Sequence, residues 1–208
     1  NPEIGLTFAA GLRSILRQDP NVVMVGEIRD KETAELAVHA ALTGHLVFST
    51  LHTNSAAGAM PRLMDMGIEP FLLVASVNAV VAQRLVRKVC EHCTQEVELN
   101  PGLLEEVKRS LEGLPDEYLT GIDLSHPVAH MGAGCDRCGK TGYQGRLGIY
   151  EVLSLTKHIQ EMLLKRGPES EVWAEAKKGG AISMKQDGVI KALRGETTLD
   201  EIIRVTTD

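Results

Sequence analysis

Four groups of residues in this sequence have the types and spacing that chemistry needs. Glu27 closes on an apolar run in VVMVGEIRD, residues 22–30, and is followed at once by Arg29 and Asp30. A glutamate held at such a point can orient or deprotonate a water for attack on a phosphoryl group, or hold a magnesium-bound water. Pairing of Glu27 with Arg29 or another surface arginine is the competing reading of the same residues. His45 and His52 bracket the second apolar stretch, seven residues apart, which suits opposite ends of a strand and not two ligands on one helix face. His52, followed by Thr53 and Asn54, points toward contact with a phosphate; His45 reads equally as a satisfied polar residue, and His39 as a structural one. Arg13, Arg17 and Arg29 carry planar guanidinium forks that match phosphate oxygens. Against that stands a solvated helix face with ion pairs to Glu32 or Glu35.

The fourth group is Cys90, Cys93, Cys135 and Cys138, in the pattern C-x2-C-x41-C-x2-C. Each pair can wrap one side of a tetrahedral ion through thiolates at ~2.3 Å with no open coordination position, so structural zinc is expected. The interval exceeds the roughly 15–20 residues of a compact ribbon and must fold back as a small subdomain. A redox pair, an iron held by the same sulfurs, or two disulfides compete with zinc, and none has supporting context. The absence of a secretory signal pattern favours ligation in a reducing cytoplasm. His92 and His126 are spare ligands, expected to stay unligated because four thiolates complete the set.

The elements that must position these groups follow from periodicity. Leu12, Ile15 and Leu16 mark an amphipathic helix over 7–18, stopped by Asp19 and Pro20, with Arg13 and Arg17 on one face. A strand over 22–26, a helix over 31–43 capped by Asp30 and ended at Gly44, and a strand over 45–50 form a strand-helix-strand unit. Its length fits a right-handed crossover in a parallel sheet buried on both faces. Ligands gather beyond the carboxyl ends of such strands, where Glu27 and His52 fall. TNSAAGAMPRLMDMG reads as a helix capped by Asn54 or Ser55 and bent at Pro61, and Pro70 opens a long apolar helix reaching about Arg87. A boundary near residue 88 precedes a segment punctuated by glycine and cysteine, 89–146. LGIYEVL resumes a strand, and helices are expected over 155–166, 168–178, 183–194 and 199–205, the last with Thr198 and Glu201 as a capping box.

Composition narrows the class. A chain of 208 residues with 43% hydrophobic residues can build a packed globular core. Its 22 basic and 28 acidic residues leave a net charge of −6, which speaks against a nucleic-acid surface, although QRLVRK could meet a partner. No apolar run reaches the roughly 18 residues a membrane-spanning helix needs, so a soluble chain is expected. Asn1 in place of an initiating methionine gives the expectation that the chain begins inside a longer protein.

GLTFAAGLRSILRQDPNVVMVGEIRD followed by ALTGHLVFSTLHTN resembles the Walker B and histidine boxes of the secretion ATPase superfamily, specifically the type II secretion and type IV pilus assembly ATPases. The likeness continues through MGIEPFLL, AQRLVRKVC and GYQGRLGIYEVL, over nearly the whole chain. The resemblance implies an α/β chain: a RecA-like P-loop ATPase core fragment over 1–88, a tetracysteine zinc subdomain over 89–146, and a C-terminal strand and helical subdomain over 147–208. It implies that Glu27 is the Walker B glutamate, that His45 and His52 belong to the histidine box with His52 sensing the γ-phosphate, and that Arg13, Arg17, Arg29 and Arg146 lie near nucleotides at or between subunits. The implied cofactors are ATP, Mg2+ and Zn2+. The implied partners are further copies in a homohexamer and the inner-membrane platform and docking proteins of the machine, with no nucleic acid. The implied location is cytoplasmic, at the inner membrane through those partners. A tetracysteine subdomain belongs to the assembly and secretion motors and not to the pilus-retraction relatives. The sequence departs from the pattern in lacking G-x-x-x-x-G-K-[ST], the loop that cradles phosphates. The chain is therefore expected to be the carboxyl-terminal part of a motor, binding nucleotide weakly and inactive alone. Asn21, where an aspartate is more usual, and Pro61 are smaller divergences. A zinc-stabilised, non-catalytic module associated with such a motor is the alternative, and an unrelated zinc-ribbon protein of nucleic-acid metabolism a third.

Overall fold

The computed structural model describes residues 7–207, so residues 5 and 6 of the GLTF stretch lie outside the described residues. In chain order the elements are α1 (Phe8–Leu16), β1 (Val22–Val25), α2 (Lys31–Leu42), β2 (Leu46–Ser49), α3 (Ala59–Asp65), α4 (Pro70–Ser76), β3 (Ala79–Val89) and β4 (Thr94–Glu98). They continue as α5 (Pro101–Leu111), α6 (Asp116–Leu119), β5 (Val128–Gly132), a 3-10 turn (Asp136–Cys138), β6 (Tyr143–Ser154), α7 (Lys157–Leu164), α8 (Glu169–Lys178), α9 (Met184–Leu193) and α10 (Leu199–Thr206). Two compact units form, each discontinuous in sequence: the described residues up to Val80 with Leu153–Gly179, and Val81–Val152 with the described residues from Gly180 onward. Among the described residues no helix is long and apolar enough to cross a membrane.

In the first unit β1 and β2 pair in parallel, Val22 opposite Leu46 through Val25 opposite Ser49, as the strand-helix-strand reading expects. The crossover helix α2 is fixed at both ends. The Asp30 carboxylate accepts the Thr33 backbone N–H at 2.8 Å and the Thr33 hydroxyl at 3.0 Å, and Gly44 takes a φ of 100° that favours glycine. Ala34, Ala37 and Ala40 are buried, and α2 packs on α1, α4 and β2. Side chains this small let the backbones approach closely. α4 packs on α7, and α7 on α8.

Three sequence expectations require correction here. The helix expected from Pro70 to about Arg87 is instead α4 followed by β3. Val77 is already extended (φ −95°, ψ 126°), and beyond it AVVAQRLVRKV alternates exposed and covered positions, the two-residue period that β-branched residues favour. The β1–β2 sheet is not covered on both faces among the described residues: Val23 and Val25 are buried, while Met24 is 63% and Phe48 53% exposed. The helix expected across TNSAAGAMPRLMDMG is shorter, because Ser55 caps a turn by accepting the Gly58 N–H at 3.0 Å, and α3 starts only at Ala59.

The second unit holds a β3–β6 sheet and an antiparallel β4–β5 ribbon with Thr94 opposite Gly132 and Glu98 opposite Val128. Asn100 caps α5 by accepting the Leu103 N–H at 2.9 Å, with Pro101 in the first turn, a signal the sequence reading passed over. Val86, Ile149, Ile190 and Ile202 anchor the apolar core. Beside them lies Glu201, 1% exposed. Its carboxylate accepts the Arg87 guanidinium at 2.5 Å, the Arg87 backbone N–H at 3.0 Å, and Arg204 at 2.9 and 2.8 Å. Arg87 also lies 4.0 Å from the Tyr143 ring centroid, and the Tyr143 hydroxyl meets Thr198 at 3.1 Å. The capping box expected at Thr198 and Glu201 is therefore half made. The Thr198 hydroxyl accepts the Glu201 N–H at 3.2 Å, but the glutamate side chain turns inward to two arginines.

Hydrogen bonds from Arg204, and then from Arg87, outweigh burial and hold the Glu201 carboxyl far below its ordinary value of 4.5. A carboxyl depressed on folding stabilises the fold above its unfolded pKa, and that contribution is lost as pH falls through the depressed value. Glu201→Gln is expected to cost about 2 kcal/mol at neutral pH, since it removes the charge-assisted hydrogen bonds that a buried carboxylate accepts from Arg87 and Arg204. Thermal unfolding followed by circular dichroism checks this: the wild-type midpoint should fall steeply below about pH 4.5, and the variant's should start lower and fall less.

Candidate functional site

Parallel pairing carries the exits of β1 and β2 to one edge. Glu27 stands two residues beyond Val25, and His52 three beyond Ser49. His52 Nε2 lies 3.0 Å from Glu27 Oε2, and Arg29 Nη2 lies 2.7 Å from Glu27 Oε1, so each carboxylate oxygen has its own partner. The Glu27 side chain is 21% exposed and that of His52 84%. The Arg29 guanidinium first, and His52 second, hold the Glu27 carboxyl below its ordinary range against a smaller opposing effect of burial. The carboxylate is thus ionised at neutral pH and open to solvent on one side. The structure unites Glu27, Arg29 and His52.

The other expected residues fall elsewhere. Arg13 on α1 meets Glu32 of α2 at 2.5 Å, the helix-face pairing that the sequence offered as the competing reading. Arg17 is exposed at the end of α1. His45 stands at the opposite end of β2 from His52, its Nδ1 at 3.0 Å from the Ala40 carbonyl and 3.2 Å from the Thr43 hydroxyl. Arg146 is exposed on β6, in the other unit. Thr50, which the sequence reading did not single out, bonds to the backbone on both sides of Glu27. Its signal was a hydroxyl at the first position after a strand, too common a feature to stand out.

The four cysteines converge in the second unit. Cys90 and Cys135 sulfurs lie 3.9 Å apart, Cys93 and Cys138 3.9 Å, Cys135 and Cys138 3.8 Å, and all four lie within 4.8 Å of one another. Bonds of ~2.3 Å to a tetrahedral ion set sulfurs roughly 3.8 Å apart, so the donor set fits such an ion. All four thiols are free. His92 meets Arg137, 2.7 Å from its Nε2, and His126 meets Ser125 at 3.1 Å. The four-sulfur group includes neither ring.

The 3-10 turn and the loop after it shape one half of the cluster. Backbone N–H groups of Cys135 and Gly142 point at the Cys138 sulfur, at 3.1 and 3.3 Å, and lower that thiol to about 6. Burial pushes the Cys93 thiol up to about 12. A full thiolate set therefore needs a cation among the sulfurs to offset burial. Gly142 has a φ of 78°, and a Cβ there would lie 2.5 Å from the Gly132 carbonyl oxygen.

This α/β fold is shared with ATPases of known structure, one of them a pilus retraction motor. The pilus retraction motor PilT with bound ADP superposes with a TM-score of 0.63 at 25% identity, over 98% of this chain and 44% of that one. The Legionella pneumophila ATPase DotB, at a TM-score of 0.59 and 24% identity over 96% of this chain and 42% of that one, supports the fold alone. The chain belongs to the family described as Type II/IV secretion system protein, which it matches over residues 1–204. It is 47% identical over 208 residues to the Type IV pilus assembly ATPase PilB of Pseudomonas aeruginosa, covering 100% of this chain and 35% of that protein. For PilB of Thermus thermophilus the figures are 47%, 100% and 22%. For the Type II secretion system protein E of Pseudomonas aeruginosa they are 48%, 100% and 39%. The chain thus spans between 22% and 39% of the length of these relatives.

Gly142→Ala is expected to destabilise the second unit by about 1–3 kcal/mol, since a side chain is strained at that φ and the neighbouring carbonyl blocks it. Thermal unfolding gives the cost, and Asn or Ser at the same position should be no better.

Proposed function

We propose that this chain is the carboxyl-terminal part of a RecA-like motor ATPase that hydrolyses ATP to drive pilin or pseudopilin assembly in type IV pilus biogenesis or type II secretion. The observation that carries the reading is the Glu27–His52 contact of 3.0 Å at the carboxyl edge of two parallel strands, in a chain whose relatives are named pilus assembly ATPase and secretion protein E. The hexameric ring, the inner-membrane platform and docking proteins, and the cytoplasmic location belong to the same proposal.

Glu27 orients the attacking water more than it strips it. A carboxyl whose affinity for protons is lowered by Arg29 and His52 is a weak base, and phosphoryl transfer through a loose transition state demands little proton removal before the bond to the leaving group breaks. Positioning is then the main contribution. His52, bonded to Glu27 and largely open to solvent, is placed to trade that bond for one to a terminal phosphate. Arg29 keeps Glu27 anionic, and Arg13, Arg17, His45 and Arg146 are assigned to nucleotide contacts completed by residues outside this chain. Glu27 is the carboxylate suited to hold a magnesium-bound water, because Asp30 is committed to Thr33. Mg2+ would neutralise charge on the transferring phosphate. Cys90, Cys93, Cys135 and Cys138 would hold a structural Zn2+ that ties together two knuckles far apart in sequence.

Two measurements test this. In the full-length protein Glu27→Gln should bind ATP with near-normal affinity and hydrolyse it about 100-fold to 10,000-fold more slowly; unaltered turnover would favour the non-catalytic module. Metal analysis of this chain should find one zinc per polypeptide, and Cys93→Ser should lose it together with thermal stability.

A further inference from the structure

We infer that Thr50 is a positioning residue for the proposed hydrolysis, clamping the backbone on both sides of Glu27. The inference rests on the assignment of Glu27 to the attacking water.

The β1–β2 ladder ends at Val25 opposite Ser49. Glu27 lies past that end, and the residue that joins it to the strand is Gly26, the residue type with the widest backbone freedom. A carboxylate that must hold a water within a fraction of an ångström would be poorly served by so loose a joint. Thr50 closes it. Its hydroxyl donates to the Gly26 carbonyl at 2.5 Å, and its backbone carbonyl accepts the Ile28 N–H at 3.0 Å. The peptide groups before and after Glu27 are thereby both tied to one residue of the neighbouring strand's exit. That exit continues through Leu51 into His52, which bonds the Glu27 side chain itself. Residues 50–52 therefore fix Glu27 at three points, two on its flanking backbone and one on its carboxylate. The side-chain bond depends on the hydroxyl, whereas the backbone bond does not.

A hydroxyl engaged in this way separates from simple packing through isosteric replacement. Thr50→Val keeps the shape and the backbone bond and removes only the bond to Gly26. In the full-length ATPase it should lower kcat about 10-fold or more, with KM for ATP within about twofold, the pattern of lost alignment and not of lost binding. Thr50→Ser, which keeps the hydroxyl, should retain most of kcat. Gly26→Ala should recover part of the loss in the Thr50→Val background, because an alanine there has less freedom and, among the described residues, its Cβ would meet only Phe8, at 4.0 Å. Should Thr50→Val lower the thermal midpoint by more than a few degrees, Thr50→Cys, of similar volume and a weaker donor, takes its place with the same expected fall in kcat. Wild-type kcat in a folded Thr50 variant that lacks the hydroxyl, while Glu27→Gln is inactive, overturns the role of Thr50 and leaves that of Glu27 standing. Turnover surviving in Glu27→Gln overturns both.

Discussion

The register of two short parallel strands is the constraint on which the candidate site depends. With Val25 opposite Ser49, Gly26 meets the Thr50 hydroxyl and Glu27 meets His52. A slip of one residue would move His52 by about 3.3 Å and turn its side chain to the other face of the sheet. Four-residue strands with one open face specify register weakly by packing alone, and the crossover supplies what they lack. Asp30 sets where α2 begins, and Gly44 where it ends. The Leu46 N–H then bonds the Asn21 carbonyl at 3.0 Å, fixing the first rung. His45 belongs to this framework in the structure: its ring closes the end of α2 through the Ala40 carbonyl. Its contact is made at the far end of β2 from Glu27, so it helps set the register that brings His52 into place.

The second unit answers a different problem. Only 3% of the residues are aromatic, and much of the unit is thin sheet and loop, so apolar burial is supplemented by polar ties. The last residues of β3 and the one after it carry two of them within four positions: Arg87 binds Glu201 of α10, and Cys90 joins the thiol cluster. Backbone bonds frame both, from the Val89 N–H to the Glu196 carbonyl and from the Cys90 N–H to the Gly142 carbonyl, each at 3.0 Å. The end of β3 thus connects segments more than a hundred residues apart in one direction and about fifty in the other.

What could be read from the sequence was what local physics decides. Asp30, Gly44 and the apolar runs between and beside them marked the strand-helix-strand unit, and the helices after residue 155 followed from caps and periodicity. The paired cysteines were legible because each knuckle is a local motif. The segment after Pro70 was misread because an apolar stretch of that length suits either period, and the β-branched Val77, Val80 and Val81 carried the deciding preference. Glu201 was read as half of a local box, although its side chain is taken by Arg204 and by Arg87, the latter 114 residues away. The Gly132–Gly142 approach and the Thr50 clamp are likewise contacts between segments, invisible until the strands are laid side by side. The open face of the β1–β2 sheet could not be read at all, since an apolar residue looks the same in sequence whether or not something covers it.

Two glutamates of this chain show how burial divides structural pairing from switchable pairing. Both are held ionised by arginine, and both bond a second group. Glu201 is sealed, so losing its arginines would strand a carboxylate away from water, which disfavours any other arrangement of the network. Glu27 faces solvent, and its partner His52 is more exposed still. A pair in such surroundings is worth little, because water serves each group nearly as well. That weakness suits the role proposed for it. An imidazole that must leave a carboxylate for an arriving phosphate should lose little by doing so, and should leave behind a carboxylate that another cation keeps charged and a clamped backbone keeps in place. Arg29 and Thr50 meet those two conditions, so under the proposed role His52 could move without disturbing the carboxylate assigned to the water.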